Sequence, residues 1–238
     1  KIRLRIMNEI ISAIDFLHTI KPDGHTLFHR DIKSSNICLD QNYTAKLIDC
    51  CLAKFVPKGS SVTTNPIPSS VRYTAGDGTY GTPGYICPWY SRGHKTFEAS
   101  CDVYSFGIVM IELVTGCIQN DRTRLGNFSE HYFPNDFEGT PAEAVELAIP
   151  KLVEDVDPLA DEWEDGILSS VCSLAICCIQ PNRMNRPKTN VLVEKLGQLV
   201  SRTCPKQAYS GNTGTMNVNE SKALCLVCGK DSTFVSMC

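Results

Sequence analysis

The feature that most constrains this chain is a polar octapeptide at residues 29–36, His-Arg-Asp-Ile-Lys-Ser-Ser-Asn. Within it, Asp31 offers a carboxylate, Lys33 a cation and Asn36 an amide oxygen. One short loop therefore holds a proton acceptor, a charge that stabilises a developing anion and a ligand for a hard cation. The octapeptide is the first candidate for a segment that carries chemistry.

The patterns on either side of the octapeptide predict a helix before it and two strands after it. Before it, apolar residues recur at helical spacing through residues 1–19. After it, residues 37–39 and 45–48 predict two short strands around a turn that begins at Asp40. We therefore expect the polar loop to lie where a helix gives way to a small sheet.

Helical patterns dominate the rest of the chain. Residues 102–115 are apolar enough for a buried helix, with Asp102 predicted as its N-cap and Gly116 ending it. Residues 57–84 are rich in Ser, Thr, Gly and Pro and predict a long loop, and residues 118–140 predict irregular structure. Further helices are predicted at about 141–153, 163–179 and 187–201. The expected fold class is mainly α, with a few short β-strands around the octapeptide.

Composition excludes several classes of protein. The 238 residues are 42% hydrophobic and 21% charged, as in soluble globular proteins, and the net charge of −3 offers no basic field for nucleic acid. No apolar run is long enough for a membrane segment, and no signal peptide is visible. Thirteen cysteines, an odd number, predict free thiols in a reducing intracellular compartment. Because the chain begins at Lys1 and not at Met, we expect a piece of a longer protein.

A second candidate ligand ends the second predicted strand, in the sequence Lys-Leu-Ile-Asp at residues 46–49. A carboxylate at the end of a strand suits a magnesium ion that bridges phosphates. Cys50 and Cys51 follow Asp49 directly, so a chelating Asp-Cys-Cys metal site is the alternative.

Two further motifs complete a recognisable set: Gly-Thr-Pro-Gly-Tyr-Ile-Cys-Pro-Trp-Tyr at 81–90 and Asp-Val-Tyr-Ser-Phe-Gly at 102–107. With the octapeptide and Asp49, they resemble the C-terminal lobe of a eukaryotic protein kinase over about residues 1–201. The residues of these motifs are most similar to those of plant receptor-like, Pelle and interleukin-receptor-associated serine/threonine kinases of the tyrosine-kinase-like group. The resemblance implies a helical kinase C-lobe without the N-terminal lobe that clamps ATP.

The resemblance implies catalytic and cofactor-binding roles. Asp31 would orient the substrate hydroxyl and take its proton, and Lys33 would face the transferred phosphoryl group. Asn36 and Asp49 would hold magnesium and, through it, the phosphates of ATP.

It also implies supporting residues close to the catalytic loop. Thr82 would contact Asp31 and Lys33, a feature of serine/threonine kinases. Asp102 would hold the catalytic loop from below.

Two arginines complete the implied set. Arg30 would order a phosphorylated residue of the long loop, for which Thr79 is the first choice. Arg186 would pair with a buried Glu of the family, but Trp89 stands in that place here. A cation over the face of Trp89 is the expected compensation.

The departures from the family leave two functions open. Cys50 and Cys51 stand where kinases have Phe-Gly, and a Cys at the Gly position is the less favourable change because Gly lets the backbone turn freely. The first hypothesis is a serine/threonine kinase that uses ATP and magnesium on protein substrates, downstream of a receptor or adaptor. The alternative is a pseudokinase that acts as a signalling scaffold.

The resemblance also sets expectations for the isolated chain. Half of the nucleotide site belongs upstream of residue 1, so the chain alone is expected to be inactive. Its expected location is the cytoplasm, or the cytoplasmic side of a membrane receptor if the parent protein has an upstream membrane segment.

The tail forms a separate region. Residues 202–224 predict a linker, and residues 225–238 are either the start of a zinc-binding module or a disordered tail. Cys225 and Cys228 form a C-x-x-C pair and Cys238 follows, which are three candidate zinc ligands. A zinc-module adaptor or ubiquitin ligase is therefore a third hypothesis.

Overall fold

The computed structural model describes residues 1–20, 25–57, 80–92, 97–121, 124–160, 163–164, 166–203, 223–225 and 231–232. The helices of these residues are α1 Ile2–Thr19, α2 Pro88–Ser91, α3 Ala99–Thr115, α4 Phe128–Tyr132, α5 Pro141–Glu154, α6 Ile167–Cys178 and α7 Thr189–Thr203. The strands are β1 His25–Phe28, β2 Ile37–Leu39, β3 Ala45–Leu47, β4 Lys54–Pro57, β5 Ala223–Cys225 and β6 Asp231–Ser232. The mainly helical fold class is confirmed.

Helix α3 forms the centre of the fold. Every side chain from Cys101 to Thr115 is buried, as expected for a helix that is apolar on all sides. Gly107 allows α6 to approach closely, because a Cβ atom there would lie 2.6 Å from the Cβ of Cys178. The helix ends at Gly116, which adopts the left-handed conformation with a φ of 65°.

Helix α1 packs on α3 and α7 and carries the chain toward the octapeptide. Ile6, Ile10, Ile11, Ile14 and Met7 are buried along one face, while Phe16 on the other side is 63% exposed. This amphipathic pattern explains why the sequence predicted the helix correctly.

Two small antiparallel sheets flank the octapeptide. Strand β1, directly before the octapeptide, pairs with β4 further along the chain, and β2, directly after the octapeptide, pairs with β3. The second sheet has the order β3-β2-β5-β6, with Cys38 of β2 opposite Cys225 of β5. Strands β2 and β3 confirm the two predicted strands, and together the sheets fix both ends of the polar loop.

Several predicted boundaries were wrong. Helix α3 begins at Ala99 after Glu98, so Asp102 lies inside the first turn and is not the N-cap. The predicted irregular segment contains α4, which begins where the side chain of Asn127 accepts hydrogen bonds from two backbone N–H groups. Helix α6 starts at Ile167, after Gly166, and not at 163.

No helix of the described residues is both long enough and apolar enough to cross a membrane.

Candidate functional site

The octapeptide is held from below by a buried carboxylate. Asp102 Oδ2 accepts a hydrogen bond from the backbone N–H of His29 at 3.0 Å, and Oδ1 accepts one from the N–H of Arg30, also at 3.0 Å. Arg30 has a φ of 72°, which is unfavourable for a residue with a side chain. The two hydrogen bonds to Asp102 stabilise this turn of the loop.

The ring of His29 connects the loop to the end of β3. The backbone N–H of Asp31 donates to His29 Nδ1 at 3.3 Å, which makes Nδ1 the acceptor nitrogen. His29 Nε2 therefore carries the proton and donates to the carbonyl of Ile48 at 3.1 Å. The N–H of Ile48 in turn donates to the carbonyl of Asn36 at 2.9 Å, so the residue before Asp49 is tied to both ends of the octapeptide.

The carboxylate of Asp31 is the centre of a compact polar cluster. Thr82 Oγ1 donates to Asp31 Oδ1 at 2.7 Å, and Lys33 Nζ lies 2.9 Å from Asp31 Oδ2. Lys33 Nζ also donates to Thr82 Oγ1 at 2.8 Å. Asn36 Nδ2 donates to the carbonyl of Asp31 at 2.8 Å and to its Oδ2 at 3.2 Å. The structure thus brings four of the predicted site residues together.

Asp49 follows Ile48, whose backbone N–H is bonded to the carbonyl of Asn36. Its φ of 63° is left-handed, and its Oδ1 accepts a hydrogen bond from the N–H of Cys51 at 3.4 Å. A hydrogen bond between the Cys51 thiol and Asp49, together with the negative charge of Asp49, raises the pKa of the Cys51 thiol. Cys51 has no positive φ, so the position where the family has Gly does not demand a glycine in this conformation.

Asn36 and Asp49 supply the oxygen atoms that magnesium prefers. The amide nitrogen of Asn36 donates hydrogen bonds to Asp31. The amide oxygen, which can ligate a cation, therefore points to the opposite side of the amide group. Asp49 follows Ile48, which is bonded to Asn36. This donor set fits a magnesium ion that also binds phosphate oxygens.

A second layer of polar side chains, which the sequence reasoning missed, lies under the cluster. Tyr85 Oη donates to Glu112 Oε1 at 2.5 Å and lies 3.2 Å from Ser34 Oγ. Burial raises the pKa of Glu112, although the N–H of Gln119 at 2.9 Å opposes the shift. Burial, with the charge of Glu112, also raises the pKa of Tyr85. The signal was an acidic residue, Glu112, within the apolar run that follows Asp102 in α3.

The expected compensation at Trp89 comes from a different arginine. The guanidinium of Arg183 lies 4.1 Å from the centre of the Trp89 ring and forms an ion pair with Glu98 at 3.1 Å. Arg186 instead lies 4.9 Å from the ring of Tyr104 and donates to Cys87 Sγ at 2.9 Å. The prediction that Arg186 faces position 89 assumed the pairing of the family. In this chain Trp89 is in contact with Arg183, and Arg186 contacts Cys87.

Some predicted site residues cannot be placed. Thr79, Cys228 and Cys238 lie outside the described residues, and for Cys225 only the backbone pairing of β5 is defined. Within the described ranges, no three His, Cys, Asp or Glu side chains form a group that could hold a metal ion. Zinc binding by the tail therefore stays a prediction.

The helical lobe, the loop held by Asp102 and the Asp31 cluster together have the architecture of the C-terminal lobe of a protein kinase domain. Residues 1–196 match the family model of the protein kinase domain, and the chain belongs to that family.

Relatives are found among plant kinases. The chain is 33% identical over 208 residues to the probable serine/threonine-protein kinase PBL15 of Arabidopsis thaliana, an alignment that covers 83% of this chain and 42% of that protein. It is 34% identical over 201 residues to the Arabidopsis thaliana leaf rust 10 disease-resistance locus receptor-like protein kinase-like 1.3, covering 82% of this chain and 25% of that protein. The chain thus spans less than half the length of these curated relatives.

Proposed function

We propose that this chain is the catalytic lobe of a serine/threonine protein kinase whose activity belongs to a longer protein. The observation that carries the proposal is the carboxylate of Asp31, which is bound on one oxygen by Thr82 at 2.7 Å and on the other by Lys33 at 2.9 Å. These contacts hold a proton acceptor beside a cation, as phosphoryl transfer to a hydroxyl requires. The serine/threonine kinase names of the relatives support the same acceptor class.

Each residue of the cluster has a distinct role in this reaction. Asp31 orients the substrate hydroxyl and accepts its proton, and Lys33 stabilises the charge that spreads over the transferred phosphoryl group. Asn36 and Asp49 would hold the magnesium ions of the ATP complex. Magnesium, when bound, neutralises the phosphate oxygens of ATP.

The proposed setting is intracellular signalling on the cytoplasmic side of a receptor or adaptor. Receptor-like kinases among the relatives support this setting. The substrates are proteins that present a Ser or Thr hydroxyl.

The test compares Asp31→Asn with Asp136→Asn in the longer protein that contains this chain. Asp31→Asn keeps the size of the side chain but removes the proton acceptor, and we expect phosphoryl transfer to a protein substrate to fall by about 10²–10⁴-fold. Asp136 is exposed and serves as the control. Binding of ATP is measured in parallel and is expected to persist. A parent protein that shows no Asp31-dependent transfer is instead the pseudokinase scaffold.

The chain by itself is predicted to be inactive. It supplies one side of the nucleotide site, and an ATP molecule bound on one side is not positioned for transfer. Incubation of the purified chain with ATP, magnesium and a protein substrate checks this prediction. Labelling that Asp31→Asn abolishes would contradict it.

We also propose that the long loop regulates the parent kinase by phosphorylation. Arg30 supports this proposal: it is 5% exposed, its guanidinium lies 4.9 Å from the Tyr80 ring centre, and its Nε has no hydrogen-bond partner among the residues that the structure describes. An added phosphate would provide the charged acceptor that this group lacks. Replacement of all eight hydroxyl residues by Ala is expected to abolish regulation, and unchanged regulation would exclude the loop. These residues are Ser60, Ser61, Thr63, Thr64, Ser69, Ser70, Thr74 and Thr79.

A further inference from the structure

Arg186 is a buried cation whose backbone contacts leave its charge uncompensated. It is 6% exposed, its Nε donates to the carbonyl of Gln180 at 2.8 Å, and its Nη1 donates to the carbonyl of Ser100 at 3.0 Å. Carbonyl groups satisfy N–H donors but carry no full negative charge. Among the described residues, no carboxylate forms an ion pair with Arg186. A buried guanidinium in this state is strongly disfavoured unless another anion faces it.

The group that faces the guanidinium is the thiol of Cys87. Arg186 Nη1 lies 2.9 Å from Cys87 Sγ, and Cys87 is 1% exposed. The thiol of Cys101, on α3, is also fully buried. A cation in contact favours the ionised form of Cys87 over its neutral form.

We propose that Cys87 is a buried thiolate that serves as the counter-ion of Arg186, replacing the carboxylate that the kinase resemblance places at position 89. Trp89 cannot supply the charge, and its ring is occupied by Arg183. The anion has moved two residues along the same segment, from position 89 to position 87. The electrostatic partner of Arg186 is thereby kept without a carboxylate.

This ion pair is a positioning contact for the active site. Cys87 belongs to the segment that begins at Gly81, and Thr82 of that segment contacts Asp31. Arg186 lies in the turn between the 3₁₀ segment Arg183–Asn185 and α7. The pair therefore fixes the segment that carries Thr82 to the helical core, without itself contacting Asp31.

The surroundings of Cys87 are consistent with a single anion. A hydrogen bond with Cys101 and the charge of Arg186 lower the pKa of Cys87 despite its burial, and the same hydrogen bond raises the pKa of Cys101. Burial raises the pKa of Tyr104 to about 12 and also raises that of Cys178, so both are neutral. The carboxylate of Asp102, next to Cys101, is directed to His18 and the octapeptide.

The first test compares Cys87→Ser, Cys87→Asp and Cys172→Ser in the full chain. Cys172 is equally buried, but burial raises its pKa to about 12, so Cys172→Ser reports the change of a neutral buried thiol to a hydroxyl. Cys87→Ser removes the anion and is expected to lower the midpoint of thermal unfolding by on the order of 10 °C. Cys87→Asp restores a negative charge and is expected to recover most of that loss. Equal losses in both Ser variants would count against the proposal.

The pH dependence separates an ion pair from simple packing. Because the pKa of Cys87 is lowered by folding, its contribution to stability is complete above the pKa of an unfolded thiol, about 8.5, and is lost as the pH falls toward the lowered value. The midpoint difference between the native chain and Cys87→Ser should therefore shrink as the pH is lowered from about 8.5. For Cys172→Ser the difference should stay constant in that range.

The thiolate can also be observed directly, which keeps the test decisive if a variant fails to fold. Thiolates absorb in the ultraviolet where thiols do not. At neutral pH, the folded native chain should show the absorbance of one thiolate more than the chain unfolded at the same pH, and Cys172→Ser should keep it. A native chain without that absorbance overturns the proposal.

Discussion

His18 Nε2 and Asp102 Oδ2 lie 2.8 Å apart in the interior, where they join α1 to α3. The same carboxylate accepts the backbone N–H groups of His29 and Arg30. One side chain with no exposed surface therefore connects two helices to the loop that carries the candidate catalytic residues. The shape of the active-site loop and the stability of the helical core depend on the same group.

Asp102→Ala is expected to lower the free energy of unfolding by about 3–5 kcal/mol, because it leaves a His and two backbone donors without their buried acceptor. Urea unfolding of the chain measures the loss. Asp136→Ala, at an exposed position, is the control and is expected to change stability by less than about 0.5 kcal/mol. Similar stabilities for the two variants would show that the carboxylate is dispensable.

Two glycines in helices are predicted to respond to Ala in opposite directions. At Gly107 a Cβ would lie 2.6 Å from the Cβ of Cys178, so Gly107→Ala is expected to destabilise the chain by about 1–3 kcal/mol. At Gly197 the nearest atom, Asn8 Oδ1, is 3.7 Å away, so Gly197→Ala is expected to stabilise α7 by about 0.5–1 kcal/mol. Thermal unfolding of both variants decides, and a stabilising Gly107→Ala would exclude the close packing of α3 on α6.

Thr82 provides a test of positioning in the longer kinase. Thr82→Ala removes the hydroxyl between Asp31 and Lys33, and we expect kcat to fall by about 10²-fold because the carboxylate loses its orientation. Thr82→Ser keeps the hydroxyl and should retain most of the activity. The KM for ATP is expected to be the same in both variants. Equal activity of the Ala and Ser variants would remove Thr82 from the catalytic cluster.

Glu112 is predicted to make stability depend on pH. Burial raises its pKa in the folded state, so the full stability is present below the unfolded value of about 4.3 and is lost as the pH rises through the raised pKa. Glu112→Gln should remove this loss, and its stability relative to the native chain should increase with pH. Equilibrium unfolding over that pH range measures the difference.

Glu143 is the matched control for this titration. Its backbone hydrogen bond with Thr140 in the capping box at the start of α5 lowers its pKa, so its contribution is lost as the pH falls. Glu143→Gln should therefore change the pH dependence with the opposite sign. If both variants titrate alike, burial is not the cause at Glu112.

The octapeptide and the long helices could be predicted because their signals are local. Residue types at fixed spacing identified Asp31 and Asn36, and helical periodicity identified α1 and α7. The exchange of partners around Trp89 could not be predicted, since Cys87 and Arg186 are 99 residues apart and no periodic pattern connects them. The contact of Asp102 with the octapeptide was expected from the kinase resemblance, whereas its interpretation as an N-cap was wrong because α3 begins earlier, at Ala99.

The hydroxyl of Thr82 makes the two oxygen atoms of Asp31 chemically inequivalent. Oδ1 accepts a hydrogen bond from the hydroxyl of Thr82, whereas Oδ2 faces Lys33 and Asn36. Thr82 carries the same functional group as the proposed acceptor residues, so a substrate hydroxyl meets a carboxylate whose first oxygen is already occupied by an equivalent group. In the proposed kinase, only the remaining lone pairs of Asp31 would be left for a substrate hydroxyl, so the donors around the carboxylate would restrict the direction from which an acceptor approaches.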